Sequence, residues 1–191
     1  MMTCPFVGLK NSFVLKNLRT MRIFQCEKLE IVFSTSVLRW LPQLEILHVE
    51  ECKELKHIIE DDLESISFQS SNTCFPKLEE LTVEKCDKLK YVFPVSICKE
   101  LPMLKFMLIK QANELEEIFK SDKKDEVEEI SKTEVQIPNL KRIAFVNLPS
   151  LCHAQGVHFQ TVKYRFVLGC QKLSLTSAPF NGGTHFTKYF S

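Results

Sequence analysis

The chain has 191 residues, 45% of them hydrophobic, and sets 25 Lys and Arg against 24 Asp and Glu for a net charge of +1. That balance describes an ordinary folded protein with ample material for a core, and it lacks the overall basic surplus of a nucleic-acid binder. The opening MMTCPFVGLKNSFVLKNL has no charged segment leading into a long apolar run, so no secretory leader is read there. No run reaches the roughly 18 apolar residues of a membrane span, and the expectation is a soluble, cytoplasmic chain.

Residues 1–14 hold no complete unit of the pattern that follows and are read as a partial or divergent first repeat. From residue 15 the chain repeats itself. Met21 and Ile23 alternate with their neighbours as on a half-buried strand, ahead of Cys26 and the apolar pair Leu29 and Val32. The next unit runs Leu41-Pro-Gln-Leu44-Glu-Ile-Leu47-His-Val49-Glu-Glu-Cys52-Lys-Glu-Leu55-Lys-His-Ile58-Ile59. After a polar stretch over 60–74, the same order returns as Phe75-Pro-Lys-Leu78-Glu-Glu-Leu81-Thr-Val83-Glu-Lys-Cys86-Asp-Lys-Leu89-Lys-Tyr-Val92-Phe93. A fourth unit places Met107 and Ile109 before Ala112, with Leu115 and Ile118 after it. The charged stretch 120–136 intervenes before Ile143, Phe145 and Leu148 begin a fifth. In the sixth, Val162 to Leu173, Arg165 occupies a position where an inward apolar residue belongs. Residues 174–191 show no period and are read as a divergent tail, with a turn at Asn181-Gly182-Gly183.

Cys26, Cys52, Cys86, Ala112, Leu148 and Cys170 thus mark one point of successive units. Their spacing is close to the roughly 20–29 residues of a leucine-rich repeat, except across the two polar stretches, which read as projecting insertions. Pro42, Pro76, Pro102 and Pro138 precede this ruler at one offset, suiting the approach to a strand because proline fixes φ and donates no hydrogen bond. The expected fold is an α/β leucine-rich-repeat solenoid of about six units over residues 15–173. A curved parallel sheet would line the concave face. Short helical or irregular turns would cover the convex face, where Leu55/Ile58 and Leu89/Val92 show i, i+3 spacing. No unit can bury its apolar face alone, so stacking supplies the core. Raw ends leave such a solenoid insoluble alone, so the chain is expected to be a fragment of a longer protein or to use its tail as a cap.

The wording of the units is more specific than the generic repeat. Phe75 to Phe93, Leu101-Pro-Met-Leu-Lys-Phe-Met-Leu-Ile, Glu114-Leu-Glu-Glu-Ile-Phe and Asn147-Leu-Pro-Ser-Leu together resemble the C-terminal leucine-rich repeats of plant intracellular disease-resistance receptors. The coiled-coil, nucleotide-binding class is the nearest kind. The resemblance implies a domain that detects a pathogen effector or an altered host protein and restrains the receptor's nucleotide switch. The switch itself is not readable here: there is no G-x-x-x-x-G-K-[ST] phosphate loop. Two other readings stand beside this one, the substrate-binding repeats of a ubiquitin-ligase adaptor and a truncated receptor product with no signalling role.

Chemistry is sparse. Of the eight cysteines, Cys26, Cys52, Cys86 and Cys170 sit on the ruler and read as small buried hydrophobes. No C-x-x-C pair points to zinc. Cys152-His153 is the one adjacent Cys–His pair, and neighbours on an extended chain point to opposite sides. His48, His57, His158 and His185 are scattered, and Asp61/Asp62, Glu116/Glu117 and Glu128/Glu129 lie in charge runs. No enzyme activity, cofactor or metal is expected. A binding surface is expected instead on the outward strand positions. Three columns result: Thr20, Ile46, Glu80, Phe106, Arg142, Tyr164; then Arg22, His48, Thr82, Leu108, Ala144, Phe166; then Phe24, Glu50, Glu84, Lys110, Val146, Leu168. The apolar residues gather at the C-terminal end, so Phe106, Leu108, Ala144, Val146, Tyr164 and Phe166 are the candidate protein-binding set. The competing reading makes them core residues of mis-registered repeats. The expected partners are a protein ligand and other domains of the parent receptor, with no nucleic acid.

Overall fold

The computed structural model describes residues 15–34, 38, 41–60, 75–95, 100–120, 137–152 and 162–173. Residues 1–14, the expected tail 174–191 and all but the first residue of each expected insertion lie outside that set. Among the described residues the strands are β1 (Thr20–Phe24), β2 (Ile31–Phe33), β3 (Ile46–Glu50), β4 (His57–Ile59), β5 (Glu80–Glu84), β6 (Tyr91–Pro94), β7 (Phe106–Lys110), β8 (Glu117–Lys120), β9 (Arg142–Val146) and β10 (Tyr164–Leu168). The five-residue strands form one parallel sheet in the order β1-β3-β5-β7-β9-β10, and the shorter ones form a second in the order β2-β4-β6-β8. Each repeat therefore adds one strand to the first sheet, and among the described residues the first four also add one to the second. No helix among the described residues is long and apolar enough to cross a membrane.

Alternation decides which side chains go inward. Leu47, Val49, Leu81, Val83, Ile109, Ile143 and Phe145 are fully buried, as are Ile58, Val92 and Ile118 of the second sheet. Together they fill a single core shared by both sheets. A line of aromatic rings runs through it along the stacking direction, Phe33–Phe75–Phe93–Phe119, with centroids 5.7, 5.9 and 5.8 Å apart. Each such ring or Leu contributes about 1.5–3 kcal/mol by leaving water, which only stacking makes available.

Two tight turns set the repeats. In the first, proline sits at the second position in four of them, where its fixed φ suits the turn: Leu44 N–H donates to Leu41 O at 3.2 Å, and Leu78 to Phe75, Leu104 to Leu101 and Leu140 to Ile137 at 3.3 Å. In the second, the ruler residue accepts from the Leu three places on, as from Leu55 to Cys52 and from Leu89 to Cys86, both at 3.1 Å. The residue before the ruler has a left-handed backbone in every repeat: Gln25, Glu51, Lys85, Gln111 and Asn147 at φ 53–56°, and Gly169 at 68°. The reward for that unusual conformation is a prolonged ladder. Gln25, Glu51, Lys85, Gln111 and Asn147 each donate N–H to the last strand residue of the next repeat, at 2.7–3.0 Å.

The convex face differs from expectation. It carries the parallel strands β2, β4, β6 and β8 rather than helical turns. The i, i+3 pairs spanned the end of the ruler turn and the strand after it, and the residues that follow are Ile, Val, Phe and Tyr, which favour a pleated surface over a helix. Lys120, read as the start of an insertion, is the last residue of β8.

Candidate functional site

The register of the larger sheet reproduces the three outward columns residue for residue. Thr20 pairs with Ile46, Ile46 with Glu80, Glu80 with Phe106, Phe106 with Arg142 and Arg142 with Tyr164. Arg165 aligns with Ile143, so the last strand is in register with a half-buried charge in the inward column. The candidate residues accordingly hold the outward positions of their strands. Phe106, Leu108 and Ala144 form a small apolar cluster of their own, with Phe166 packed against it, on the side of the sheet away from the main core.

Burial grades across this face. Phe106, Leu108 and Ala144 are only 8%, 5% and 1% exposed, whereas Tyr164 and Leu168 on β10 are 58% and 56% exposed. Val146 is buried beside them. Of the six candidates, the structure thus brings together Phe106, Leu108, Ala144 and Phe166 as a packed floor, and leaves Tyr164 open at its end. Leu168, outside the candidate set, is as open as Tyr164. The Arg142 guanidinium stands over the Phe106 ring, 5.2 Å from its centroid, an attraction of cation for ring face.

The N-terminal half of the same face is largely polar and internally paired, with Phe24 on β1, 54% exposed, as its open apolar residue. Glu51 binds the Lys85 ammonium at 2.6 Å and accepts from Gln25 Nε2 at 2.7 Å, while Glu50 takes Lys85 at 3.3 Å. Lys85 first and Gln25 second hold the Glu51 carboxyl below the usual carboxylate range, and Glu51 with Glu50 raises Lys85. Glu84 meets Lys110 at 3.6 Å, and His48 Nε2 lies 3.7 Å from Glu50.

One rim of the sheet carries a further column, Arg19, Glu45, Glu79, Lys105, Lys141 and Lys163, one residue ahead of each strand. Arg19 pairs with Glu45 at 3.2 Å and Lys105 with Glu79 at 2.7 Å. Lys141 and Lys163 follow with no carboxylate partner among the described residues. Sequence reasoning missed this pair because the chain's charges nearly cancel overall. The signal was there: residues 137–191 contain Lys141, Arg142, Lys163, Arg165, Lys172 and Lys188 and no Asp or Glu.

The remaining reactive groups do not converge on the face. Cys26, Cys52, Cys86 and Cys170 are free thiols, and each donates to the carbonyl two residues earlier, at 3.3–3.7 Å. Cys86 is pushed up by its hydrogen bond to Cys52 and by burial, which disfavours the reactive thiolate. Cys152 donates to Glu116 O at 3.6 Å; His153, His158 and His185 lie outside the described residues. His57 is on the other sheet, stacked on Tyr91 with centroids 4.3 Å apart. Burial and then the charges of Lys120, Lys90 and Lys56 bring its pKa down to about 4.

Compared with known proteins, residues 7–53 and 53–176 match the family described as plant disease resistance protein RPS2-like, leucine-rich repeats. The match takes in half of the opening segment read as a divergent repeat and extends just past the sixth unit. No curated protein and no solved structure matches the chain.

Proposed function

Because the chain belongs to the RPS2-like leucine-rich-repeat family of plant disease resistance proteins, we propose that it is the protein-recognition and regulatory segment of a plant innate-immune receptor. It acts in the cytoplasm and without catalysis. The observation that carries this reading is a second apolar cluster, separate from the main core, on the outward side of the strand array and bordered by the exposed Tyr164 and Leu168. Regular strands hold Tyr164 and Leu168 at fixed spacing beside that packed cluster, so a partner meets a preformed surface and little ordering entropy opposes binding.

The partner is a pathogen effector or a host protein that an effector alters, and the other domains of a coiled-coil, nucleotide-binding receptor are the regulatory counterpart. A ligand on this face shifts the receptor's nucleotide switch only by the difference in its affinity for the two receptor states.

Proximity labelling in leaf tissue tests the reading. The chain fused to a labelling enzyme is compared with its Tyr164→Ala/Leu168→Ala variant, which alters exposed positions only. A defined set of labelled proteins lost in the variant, at equal abundance of the fusion, is the expected result. Identical sets from the two fusions would contradict recognition by this face.

A further inference from the structure

We infer that strand β10 and the lysine rim beside it form the docking site for an acidic protein segment carrying apolar side chains at alternate positions. This rests on the reading of the strand face as a recognition surface and specifies the partner's chemistry.

The first observation is the segregation of charge. All 24 Asp and Glu fall within residues 1–136, while residues 137–191 hold six Lys or Arg. An asymmetry between parts of a chain marks an electrostatic surface even where the total is near zero. The fold concentrates it. Lys141 N–H donates to Lys105 O at 3.0 Å and Lys163 N–H to Lys141 O at 2.9 Å, so these three residues lie side by side along the rim. Lys105 is neutralised by Glu79. Lys141 and Lys163 are exposed, and Arg142 adds a third charge at the border of the apolar cluster.

The second observation is independent of charge. Every outward residue of β10 is apolar: Tyr164, Phe166 and Leu168, the first and last more than half exposed. Residues two apart on a strand are about 6.6 Å apart. An extended segment laid along β10 presents every second side chain to them at that same interval, and its acidic end then meets Lys141 and Lys163. Phosphate backbones and lipid headgroups would use the lysines but leave this apolar strip idle. An acidic, apolar peptide uses both.

Fluorescence anisotropy with the purified chain and a labelled Glu-Glu-Asp-Leu-Ser-Phe-Ser-Leu peptide tests the inference. Comparison probes replace the acids by Lys or the apolar residues by Ser, and a DNA duplex and phosphatidylserine vesicles supply other polyanions. The expected result is binding of the acidic, apolar peptide alone, weakened about tenfold or more by Lys141→Glu/Lys163→Glu and by Tyr164→Ala/Leu168→Ala. Only the lysine variant should flatten the dependence on salt. Equal binding of the Lys-substituted peptide, or indifference to the lysine variant, overturns the acidic partner. If Tyr164→Ala/Leu168→Ala still abolishes such binding, the recognition face stands without it. Binding of the duplex or vesicles that ignores Tyr164→Ala/Leu168→Ala also overturns the inference, as does no binding of any peptide. In those cases the leaf labelling decides the face separately.

Discussion

Gly169 is the one glycine among the six left-handed positions of the rim turn. A Cβ built there would stand 2.5 Å from Asn147 Oδ1 and 3.3 Å from Asn147 Cα. The five other positions tolerate side chains, and three of them use theirs: Gln25, Glu51 and Lys85 form one hydrogen-bonded line across successive repeats. Gly169→Ala is therefore expected to destabilise the chain by about 1 kcal/mol or more, read from the urea midpoint, and an unchanged midpoint would contradict the turn geometry. His57 makes a second residue-level prediction. Its folded pKa of about 4 lies below the ordinary 6.5, so the unfolded chain binds more protons between those values and stability rises with pH across that window. The melting temperature should fall as pH drops from 6.5 toward 4, and His57→Phe, which keeps a ring on Tyr91, should lessen the fall. At this scale the sequence was legible where a residue type has one use, as with the prolines. The left-handed rim was not, because Gln, Glu and Lys carry no local signal for φ above zero.

At the scale of elements, the repeat period and strand alternation were enough to place every strand of the larger sheet in register, since a slip of one residue would turn Leu47 and Val49 outward. The second sheet was hidden because its strands span three or four residues. In so short a span, period 2 and an i, i+3 turn place nearly the same residues inward. Its bonds are nonetheless made: Lys56 and His57 N–H both reach Glu30 O, and Lys90 N–H reaches Lys56 O. Leu89 closes the turn that feeds β6 and is fully buried, so Leu89→Ala should cost about 2–5 kcal/mol. Thermal unfolding checks it, and a curve overlaying the parent would sink the packing scheme. Hydrogen exchange gives a second check. Strands β5 and β7 are bonded on both sides, whereas β10 pairs only with β9 among the described strands and brings Arg165 to the inward column. Amides of β10 should exchange fastest and those of β5 and β7 slowest; uniform protection would contradict this gradient.

Across the whole molecule, the stacking direction orders three properties at once. Carboxylates and their lysine partners occupy the early repeats beside the exposed Phe24, an apolar floor forms in the middle, and Tyr164, Leu168 and exposed basic groups end the array. Ion pairs such as Lys56–Glu30 and Lys88–Glu54, at 2.9 and 2.8 Å, tie neighbouring repeats along the surface, but exposed pairs of this kind contribute little. The core holds the solenoid, and on the proposed reading the outward columns are the ones that bind. Composition alone concealed that division, since a net charge of +1 averages an acidic stretch with a basic one. The measurement that tests the division most directly is calorimetric unfolding of Tyr164→Ala/Leu168→Ala beside Leu89→Ala and the parent. If fold and recognition reside on separate sides of the strand array, the face variant stays within about 0.5 kcal/mol of the parent while Leu89→Ala melts far below both. A face variant that melts as early as Leu89→Ala would mean that β10 serves the core, and the account of a free recognition surface would be wrong.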